Sequence, residues 1–345
     1  MTTICSIRGA TVAATLLLLG SGMAAAQTFE SVGTRALGMG GAFVAVADDA
    51  TATWWNPAGL ATGSMVDVVL AADRIETRTS PEDRPPAARR AGTVIALTTP
   101  ALGVSYYRLR LTDIQASGTT AGGGGSRQLE GGNLPLYSLV VAQLGVTVLQ
   151  TVVPGVHIGT TVKYLRAGGA AAFGVPGRVP GDLLADADAL ETAGQSRFDL
   201  DVGLMASVGA VRVGATVKNV RQPTFEIAGS TALARLDRQV RAGVSVDAGA
   251  LGGPPLVVAL DADLRTVATP FGPRRNIALG AERWLRNRRI GVRSGLRVDT
   301  LGDRRPVGAG GLSVAVRSGL YVEGQASRGG DRADRGWSLG ARVTF

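Results

Sequence analysis

Several acidic residues of this chain stand two positions apart and are the first candidates for chemistry. Asp199 and Asp201 form one pair and Asp261 and Asp263 another, and neighbouring carboxylates can act as a general acid and a general base. Arginines and lysines occupy the same kind of alternating positions. Acids and bases that neutralise one another on the inner wall of a lumen therefore explain this pattern better than an active site. The single His157 has no partner cluster, and no nucleophile motif accompanies it. We therefore expect a protein that is not an enzyme and that needs no cofactor and no metal.

A glycine-rich stretch is the second candidate for a binding function. Gly38-x-Gly40-Gly41 partly matches a phosphate-binding loop. It does not follow a strand of a βαβ unit, however, and it lacks the complete glycine spacing of that motif. Its expected use is conformational, because glycine lets a backbone turn sharply or pass close to a wall.

The net charge of the chain limits the kinds of molecule that it is expected to bind. The chain has 36 Lys and Arg against 27 Asp and Glu, which gives a formal net charge of +9. The cations are scattered through alternating segments instead of forming a patch or a helix stripe, which argues against nucleic-acid binding. Anionic solutes and the phosphates of lipopolysaccharide are the more natural partners of such a charge.

The elements that position the charged residues are strands, because apolar and polar residues alternate with a period of two. In one segment the aliphatic residues from Ile290 to Val298 share one face, and the arginines share the other. An arginine on the lipid face costs ~2–4 kcal/mol at the bilayer midplane, so the charged face must point into a lumen. The residues predicted to line that lumen are Arg197, Asp199, Lys218, Arg265, Arg289, Arg293 and Arg297.

About fourteen such strands, most of them about ten residues or longer, fit the requirements of a membrane barrel. The predicted spans are 64–77, 91–99, 101–115, 134–151, 154–167, 195–208, 210–221, 236–249, 255–267, 273–286, 288–299, 305–316, 318–327 and 335–345. Long and short connections alternate between them, as extracellular loops and periplasmic turns do. The sequence therefore predicts an all-β, transmembrane antiparallel barrel over 64–345 with both termini in the periplasm. The apolar pattern changes parity near Gly310 and near Tyr107, where we expect a bulge or a misplaced boundary.

Both ends of the chain carry targeting features. Residues 1–26 contain one early arginine, a short apolar core and three alanines at the cleavage position, which predicts a secretory signal peptide. The last strand alternates to a final aromatic residue through Trp337, Leu339, Val343 and Phe345. This pattern resembles the C-terminal strand that the barrel-assembly machinery recognises, so that machinery is an expected partner in the outer membrane.

Residues 27–63 lie between the signal peptide and the barrel, and we call them the hatch. Their distinctive residues are Gly38, Gly40, Gly41, Asp48, Asp49, Trp54, Trp55, Asn56, Pro57 and Ala58. This segment resembles the N-terminal region of FadL-like outer-membrane transporters and of the related PorV-type proteins. The resemblance implies a fourteen-stranded barrel whose lumen the hatch enters and gates.

Local chemistry assigns roles to some hatch residues. Asp48 or Asp49 is expected to cap the turn that follows, and Asn56 before Pro57 is expected to end a helix. The adjacent Trp54 and Trp55 either wedge the hatch against the wall or lie at the periplasmic membrane interface.

Three functions remain open at this point. The leading hypothesis is passive uptake of hydrophobic or amphipathic molecules of the fatty-acid type, with an inward arginine binding a carboxylate head group. The first alternative is a PorV-like barrel that binds or shuttles a secreted protein. The second alternative is an anion-preferring pore. The sequence shows no long apolar groove on the predicted inward face, and it does not identify the cargo.

Overall fold

The computed structural model of the chain describes residues 32–78, 86–114, 134–175, 177–230, 233–269, 272–302, 304–330 and 334–345. The predicted signal peptide and the first residues of the hatch lie outside this described part. The eighteen strands within it are β1 (Asp67–Arg78), β2 (Ala87–Thr98), β3 (Leu102–Ile114), β4 (Leu134–Val153), β5 (Val156–Gly174), β6 (Gln195–Val208), β7 (Val211–Lys218), β8 (Thr224–Ala228), β9 (Leu233–Arg235), β10 (Gln239–Asp247), β11 (Leu256–Asp263), β12 (Val267–Thr269), β13 (Gly272–Arg274), β14 (Asn276–Leu285), β15 (Ile290–Asp299), β16 (Pro306–Arg317), β17 (Leu320–Gly329) and β18 (Asp334–Thr344).

Fourteen of these described strands form one closed antiparallel barrel. Each barrel strand pairs with the next barrel strand along the chain, and β1 closes the ring against β18 from Asp67↔Thr344 to Thr77↔Asp334. The remaining four are short: β8 pairs with β9, and β12 pairs with β13. This closed ring of fourteen antiparallel strands confirms the predicted fold class and the predicted strand number.

The two faces of the wall differ as the alternation requires. In β4, Leu144, Val146 and Val148 are 43–56% exposed, whereas Gln143 and Thr147, which alternate with them, are buried. Exposed aliphatic residues of this kind continue around the barrel on one face of the strands. Such an apolar outer band is the surface that a membrane barrel presents to lipid.

No shift in strand pairing occurs at the two places where the apolar pattern changes face. The pairing of β16 with β15 runs without a shift past Gly310, and the pairing of β3 with β2 and β4 runs without a shift past Tyr107. The expectation of a bulge or a boundary error there was therefore wrong. Tyr107 and Val307 are apolar residues that point inward and are buried. The irregularity of β16 lies instead between Ala315 and Arg317, where it pairs with β17.

The helices are few. The hatch contains α1 (Thr34–Gly38), α2 (Ala52–Trp55) and a 3₁₀ helix (Pro57–Thr62). A nine-residue helix, α3 (Pro180–Asp188), lies where the sequence predicted only a long loop, and a second 3₁₀ helix covers Gly249–Leu251. Leu183 and Leu184 of α3 are fully buried against β2, β3 and β4. No helix in the described ranges combines the length and the apolar character that a membrane-spanning helix needs.

Candidate functional site

The hatch lies inside the barrel, at the end of the lumen where β1 begins and β18 ends. Most of its described residues, 32–63, are buried, and Phe43, Trp55 and Asn56 have no exposed surface. We call this end of the barrel the hatch end and the opposite end the far end. The last hatch element stops at Thr62 and the first barrel strand starts at Asp67.

Glycines of the wall let the hatch backbone approach at contact distance. A Cβ atom added to Gly295 would lie 2.1 Å from the carbonyl carbon of Met39, and one added to Gly203 would lie 2.1 Å from Oδ1 of Asn56. A larger residue at these positions would have to displace either the hatch or the strand. The wall glycines in close contact with the hatch are Gly103, Gly159, Gly203, Gly214, Gly280, Gly295, Gly311 and Gly340.

The hatch glycines complete these contacts from the other side. A Cβ on Gly38 would lie 3.2 Å from the Cα of Gly311, and a Cβ on Gly40 would lie 2.9 Å from the backbone nitrogen of Leu296. Gly40 and Gly41 have φ angles of 68° and 88°, a region that glycine enters without steric cost. The structure thus brings the predicted hatch glycines against the wall. The sequence showed their wall partners only as a high glycine content.

Arg35 links the hatch to the wall through a buried charge cluster. Its Nε donates to Oε1 of Glu282 at 2.8 Å, and its Nη1 pairs with Asp48 and Asp49. Glu282 of β14 also accepts a hydrogen bond of 2.6 Å from Nε of Arg293. Burial alone would raise the pKa of Asp48, but the Arg35 guanidinium holds that pKa below its usual value. Asp48 therefore stays charged at neutral pH, and the cluster joins the hatch to β14 and β15.

Asp261 of β11 holds the hatch backbone directly. One of its carboxylate oxygens accepts the N–H groups of both Phe43 and Val44 at 2.8 Å. On β10, Ser245 donates to the carbonyl oxygen of Ala45 at 3.0 Å. Buried backbone groups need such partners, so these wall side chains take the place that water would have in an open lumen.

Asn56 connects three parts of the site. Its Nδ2 donates to the carbonyl oxygens of Val44 in the hatch and Leu204 in β6 at 2.9 and 3.0 Å. Its Oδ1 accepts the N–H of Ala58 at 3.1 Å, while Pro57 begins the 3₁₀ helix. The predicted Asn-Pro-Ala element therefore both starts a new turn and attaches the hatch to the wall.

Asp49 provides the hydrogen-bond acceptor for the turn that precedes α2. Its Oδ1 accepts the N–H of Thr51 at 2.8 Å and is bonded to the hydroxyl of the same residue. Asp48 differs, since its carboxylate faces Arg35.

The two tryptophans are packed inside the lumen. The ring of Trp54 lies 5.1 Å from the ring of Tyr107, and Nζ of Lys218 lies 2.9 Å from the Trp54 ring centroid. Trp55 packs on Phe43 at 6.0 Å, and its Nε1 donates to the carbonyl oxygen of Val32 at 3.0 Å. Both side chains are at most 1% exposed. They wedge the hatch against the wall and do not lie at the membrane interface.

The predicted lumen residues Asp199 and Lys218 belong to a buried polar group beside Trp54. Nζ of Lys163 lies 2.8 Å from Asp199, 2.6 Å from Asp201 and 2.8 Å from Oδ1 of Asn219. These contacts balance charge within the wall. Among the described residues, no group of three or more His, Cys, Asp or Glu side chains converges as a metal site would require.

Arg293 and Arg297 both point inward and are buried. Nη2 of Arg297 lies 2.8 Å from Asp334 of β18, and Arg90 and Arg274 lie within 2.9 Å of the same carboxylate. Three arginines therefore surround one aspartate in the half of the lumen above the hatch.

Three other predicted lumen residues lie elsewhere. Arg265 follows the end of β11 and Arg289 precedes β15, and both are exposed in turns. The expectation that these two line the lumen does not match the structure, because the alternation was extended past the strand ends. Arg197 is exposed at the far end of β6, where its guanidinium lies 6.0 Å from the ring of Phe225.

An apolar cluster faces the lumen at the far end, and the sequence pattern did not predict it. Phe225 and Ile227 of the short strand β8 fold onto inward residues of β3, β4 and β5, and the β8–β9 hairpin covers them. The only sequence signal was the apparent parity change near Tyr107. We call this set the far-end apolar cluster: Leu111, Leu139, Val141, Leu165, Ala167, Phe225, Ile227, Ala234 and Leu236.

The C-terminal strand presents its apolar residues outward. Trp337, Leu339 and Phe345 are 47%, 62% and 76% exposed, and Val343 is partly exposed on the same face. The backbone of Phe345 pairs with Val66 by two hydrogen bonds of 2.9 and 3.3 Å.

Comparison with known proteins gives a fold relationship. No family model and no curated protein matches the chain. Among solved structures it is similar to the CymD monoaromatic hydrocarbon channel, with a TM-score of 0.61 and 14% identity over 91% of this chain and 98% of that one. It is also similar to the Ralstonia pickettii toluene transporter TbuX, with a TM-score of 0.57 and 15% identity over 92% of this chain and 99% of that one. A Pseudomonas aeruginosa FadL homologue matches with a TM-score of 0.58 and 10% identity over 91% and 98%. The chain therefore has the fold of FadL-like outer-membrane transporters.

Proposed function

We propose that this protein is a passive channel of the outer membrane for hydrophobic or amphipathic small molecules, and that the hatch controls passage. The observation that carries the proposal is the division of the lumen. A segment of the same chain fills the hatch end by direct contact with the wall, whereas apolar side chains face the lumen at the far end. In the proposed orientation both termini are periplasmic and the far end is extracellular.

The geometry defines two steps for passage. A hydrophobic molecule first enters beside Phe225 and Ile227, where displacement of β8 exposes the far-end apolar cluster. A carboxylate on that molecule would then meet the arginines around Asp334. The second step needs movement of the hatch, because the contact distances at Gly203 and Gly295 leave no gap between hatch and wall.

The solved structures support the substrate class without defining it. CymD is described as a monoaromatic hydrocarbon channel and TbuX as a toluene transporter. Both differ from this chain at more than four positions in five, so the cargo has to be measured.

The alternatives have less physical support. An open anion-preferring pore needs a continuous aqueous path, but the hatch fills its end of the lumen at contact distance and Arg293 is buried and paired with Glu282. The described structure offers no feature that favours a PorV-like secretion role.

The test is uptake by a host strain that lacks its own transporters of this class. Cells producing the protein should take up radiolabelled toluene and a long-chain fatty acid faster than cells with the empty vector. A hydrophilic disaccharide is the control solute, and its entry should stay at the level of the empty vector. Equal rates for both hydrophobic solutes with and without the protein would refute the proposal. Faster disaccharide entry would show an open pore instead.

A further inference from the structure

Two neighbouring turns at the hatch end carry a group of arginines. The first turn joins β14 to β15, and the second joins β16 to β17. The N–H of Ala315 donates to the carbonyl oxygen of Arg289 at 2.8 Å, so the two turns lie side by side. We call the exposed arginines of these turns and of the adjoining end of β14 the hatch-end arginine patch: Arg283, Arg286, Arg288, Arg289 and Arg317.

The patch is cationic and has no counter-charge. The segments 283–298 and 306–322, which supply its residues, contain no Asp and no Glu. The acids that border these segments, Glu282 and Glu323, are buried in the lumen wall and pair with Arg293. Within the described part of the chain, none of the five arginines forms an ion pair, and their one side-chain contact is that of Arg288 with the ring of Trp284 at 5.2 Å.

Other turns at the hatch end have a different surface. Val152 and Val153 at the β4–β5 turn are 55% and 53% exposed, Val208 at the β6–β7 turn is 79% exposed, and Leu251 at the β10–β11 turn is 72% exposed. These three turns contain no arginine. The arginines are therefore confined to the side of the rim where β14 to β17 end.

The patch begins in register with the apolar outer band. Arg283 stands opposite Val292 of β15, which in turn stands opposite Leu312 of β16. Val292 and Leu312 are 43% and 48% exposed on the outer face. A long cationic side chain at such a level covers apolar surface with its stem and extends its charge to the lipid head groups. The patch therefore reaches from the edge of the apolar band to the aqueous rim.

The turn between β14 and β15 holds its arginines in an unfavourable backbone conformation. Arg286, Asn287 and Arg288 have φ angles of 50°, 54° and 64°, a region that non-glycine residues enter at an energetic cost. Strained residues of this kind cluster at positions that clamp ligands. The strain thus agrees with a binding role for this turn.

We propose that the hatch-end arginine patch binds an anionic phospholipid, whose phosphate contacts the arginines and whose acyl chains lie along β14, β15 and β16. Charge-assisted arginine–phosphate contacts, which are frequently bidentate, would supply the counter-charge. A soluble anion would gain nothing from the aliphatic row beside Arg283, so the ligand is a lipid. In the orientation of the proposed function, the hatch end meets the periplasmic leaflet, which is built of phospholipids. The site is separate from the lumen, and its occupancy is measured without reference to uptake.

The experiment is native mass spectrometry of the full-length purified barrel in detergent, titrated separately with phosphatidylglycerol, with zwitterionic phosphatidylethanolamine and with lipopolysaccharide. The test variant combines Arg283→Gln, Arg289→Gln and Arg317→Gln, which leaves the strained positions unchanged. The matched control combines Arg221→Gln, Arg265→Gln and Arg275→Gln, which removes the same charge from exposed positions at the far end. Heat-modifiable migration on gels verifies that each variant is folded, and the single Arg283→Gln change replaces the triple variant if that one does not fold.

We expect the test variant to lose phosphatidylglycerol affinity by roughly tenfold or more, because each arginine near a membrane surface contributes substantially to binding an anionic lipid. The control variant should bind as the wild type does, and the wild type should bind phosphatidylethanolamine more weakly than phosphatidylglycerol.

Equal phosphatidylglycerol binding by the test variant and the wild type would overturn the site. Displacement of the lipid by millimolar inorganic phosphate would also overturn it, by showing a site for free anions. Tighter binding of lipopolysaccharide than of phosphatidylglycerol would contradict the lipid identity and the orientation on which it rests. An acidic protein that co-purifies with the wild type and not with the test variant, while lipid binding is the same in both, would assign the patch to protein docking instead.

Discussion

The two ends of the lumen are closed in different ways. At the hatch end, backbone lies against wall glycines, and buried ion pairs such as Arg35–Glu282 fix the register of the contact. At the far end, a hairpin of two short strands covers apolar side chains. Directional polar contacts allow one docked position, whereas apolar packing tolerates rearrangement and exchange of partners. In the proposed function, the hatch end therefore serves as the gate and the far end makes the first contact with varied hydrophobic molecules.

The largest effect should follow from removing the charge that joins hatch and wall. Glu282→Gln leaves Arg35 and Arg293 short of a buried counter-charge, which typically costs about 3–5 kcal/mol. We expect a lower unfolding temperature in detergent and greater acrylamide quenching of tryptophan fluorescence. Glu76→Gln is the matched control, because Glu76 also pairs with arginines but is 20% exposed on the outer wall. Identical effects of the two changes would remove the distinction between hatch end and outer wall.

Loss of the central aromatic residue at the far end should be the next largest effect. Phe225→Ala empties a buried position in the far-end apolar cluster, and such truncations cost about 3 kcal/mol or more. Hydrophobic uptake should fall while the hatch stays docked, as reported by unchanged tryptophan quenching. Phe173→Ala, at a residue that is 72% exposed, should leave uptake unchanged. Undocking of the hatch by Phe225→Ala would show that the two ends are one cooperative unit.

A steric change should loosen the hatch more mildly. Gly295→Ala places a methyl group 2.1 Å from the hatch backbone, and overpacking of this kind typically costs about 1–3 kcal/mol. Disaccharide leakage into cells should rise. In Gly310→Ala on the neighbouring strand, the nearest heavy atom would be 3.9 Å away, so leakage should stay at the wild-type level. If disaccharide leakage does not rise in the Gly295→Ala variant, the added methyl group displaces the strand and not the hatch.

Acidification should give the smallest effect. Burial opposes ionisation of Asp48, but Arg35 outweighs it and the folded-state pKa lies below the usual value. A lowered pKa stabilises the docked state fully above the ordinary Asp pKa of about 3.9, and the contribution is lost as the pH falls through the folded value. Tryptophan quenching should therefore be constant from pH 8 to about pH 5 and should rise below about pH 4. Asp48→Asn should remove part of this rise, and an unchanged acid profile of that variant would exclude Asp48 as its source.

The sequence predicted the barrel well because the alternation of apolar and polar residues that marks a strand lies within the strand itself. Alternation in segments such as 288–299 is local, and the structure places Ile290–Asp299 there. The inward direction of Arg293 and Arg297 followed from the same pattern. Arg265 and Arg289 were misassigned because alternation does not show where a strand ends.

Contacts between distant segments were not predictable. The partners of Arg35 include Glu282, which lies 247 residues further along the chain, and neither residue has a distinctive local pattern. The inward apolar residues of β3 appeared to be a change of parity, because the hairpin that covers them comes from β8 and β9. In the sequence the wall glycines appear only as a high glycine content, because their contacts with the hatch are visible only in the structure.

The central claim is that passage requires movement of the hatch, and a reversible cross-link tests it most directly. Thr34→Cys with Ser338→Cys replaces a hatch hydroxyl and a wall hydroxyl whose oxygens lie 2.7 Å apart, a spacing that suits a disulfide. The one native cysteine, Cys5, lies in the predicted signal peptide. Under oxidising conditions we predict that toluene and fatty-acid uptake falls to the level of the empty vector and that a reductant restores it. Uptake that continues at the wild-type rate with the cross-link fully formed would contradict the account.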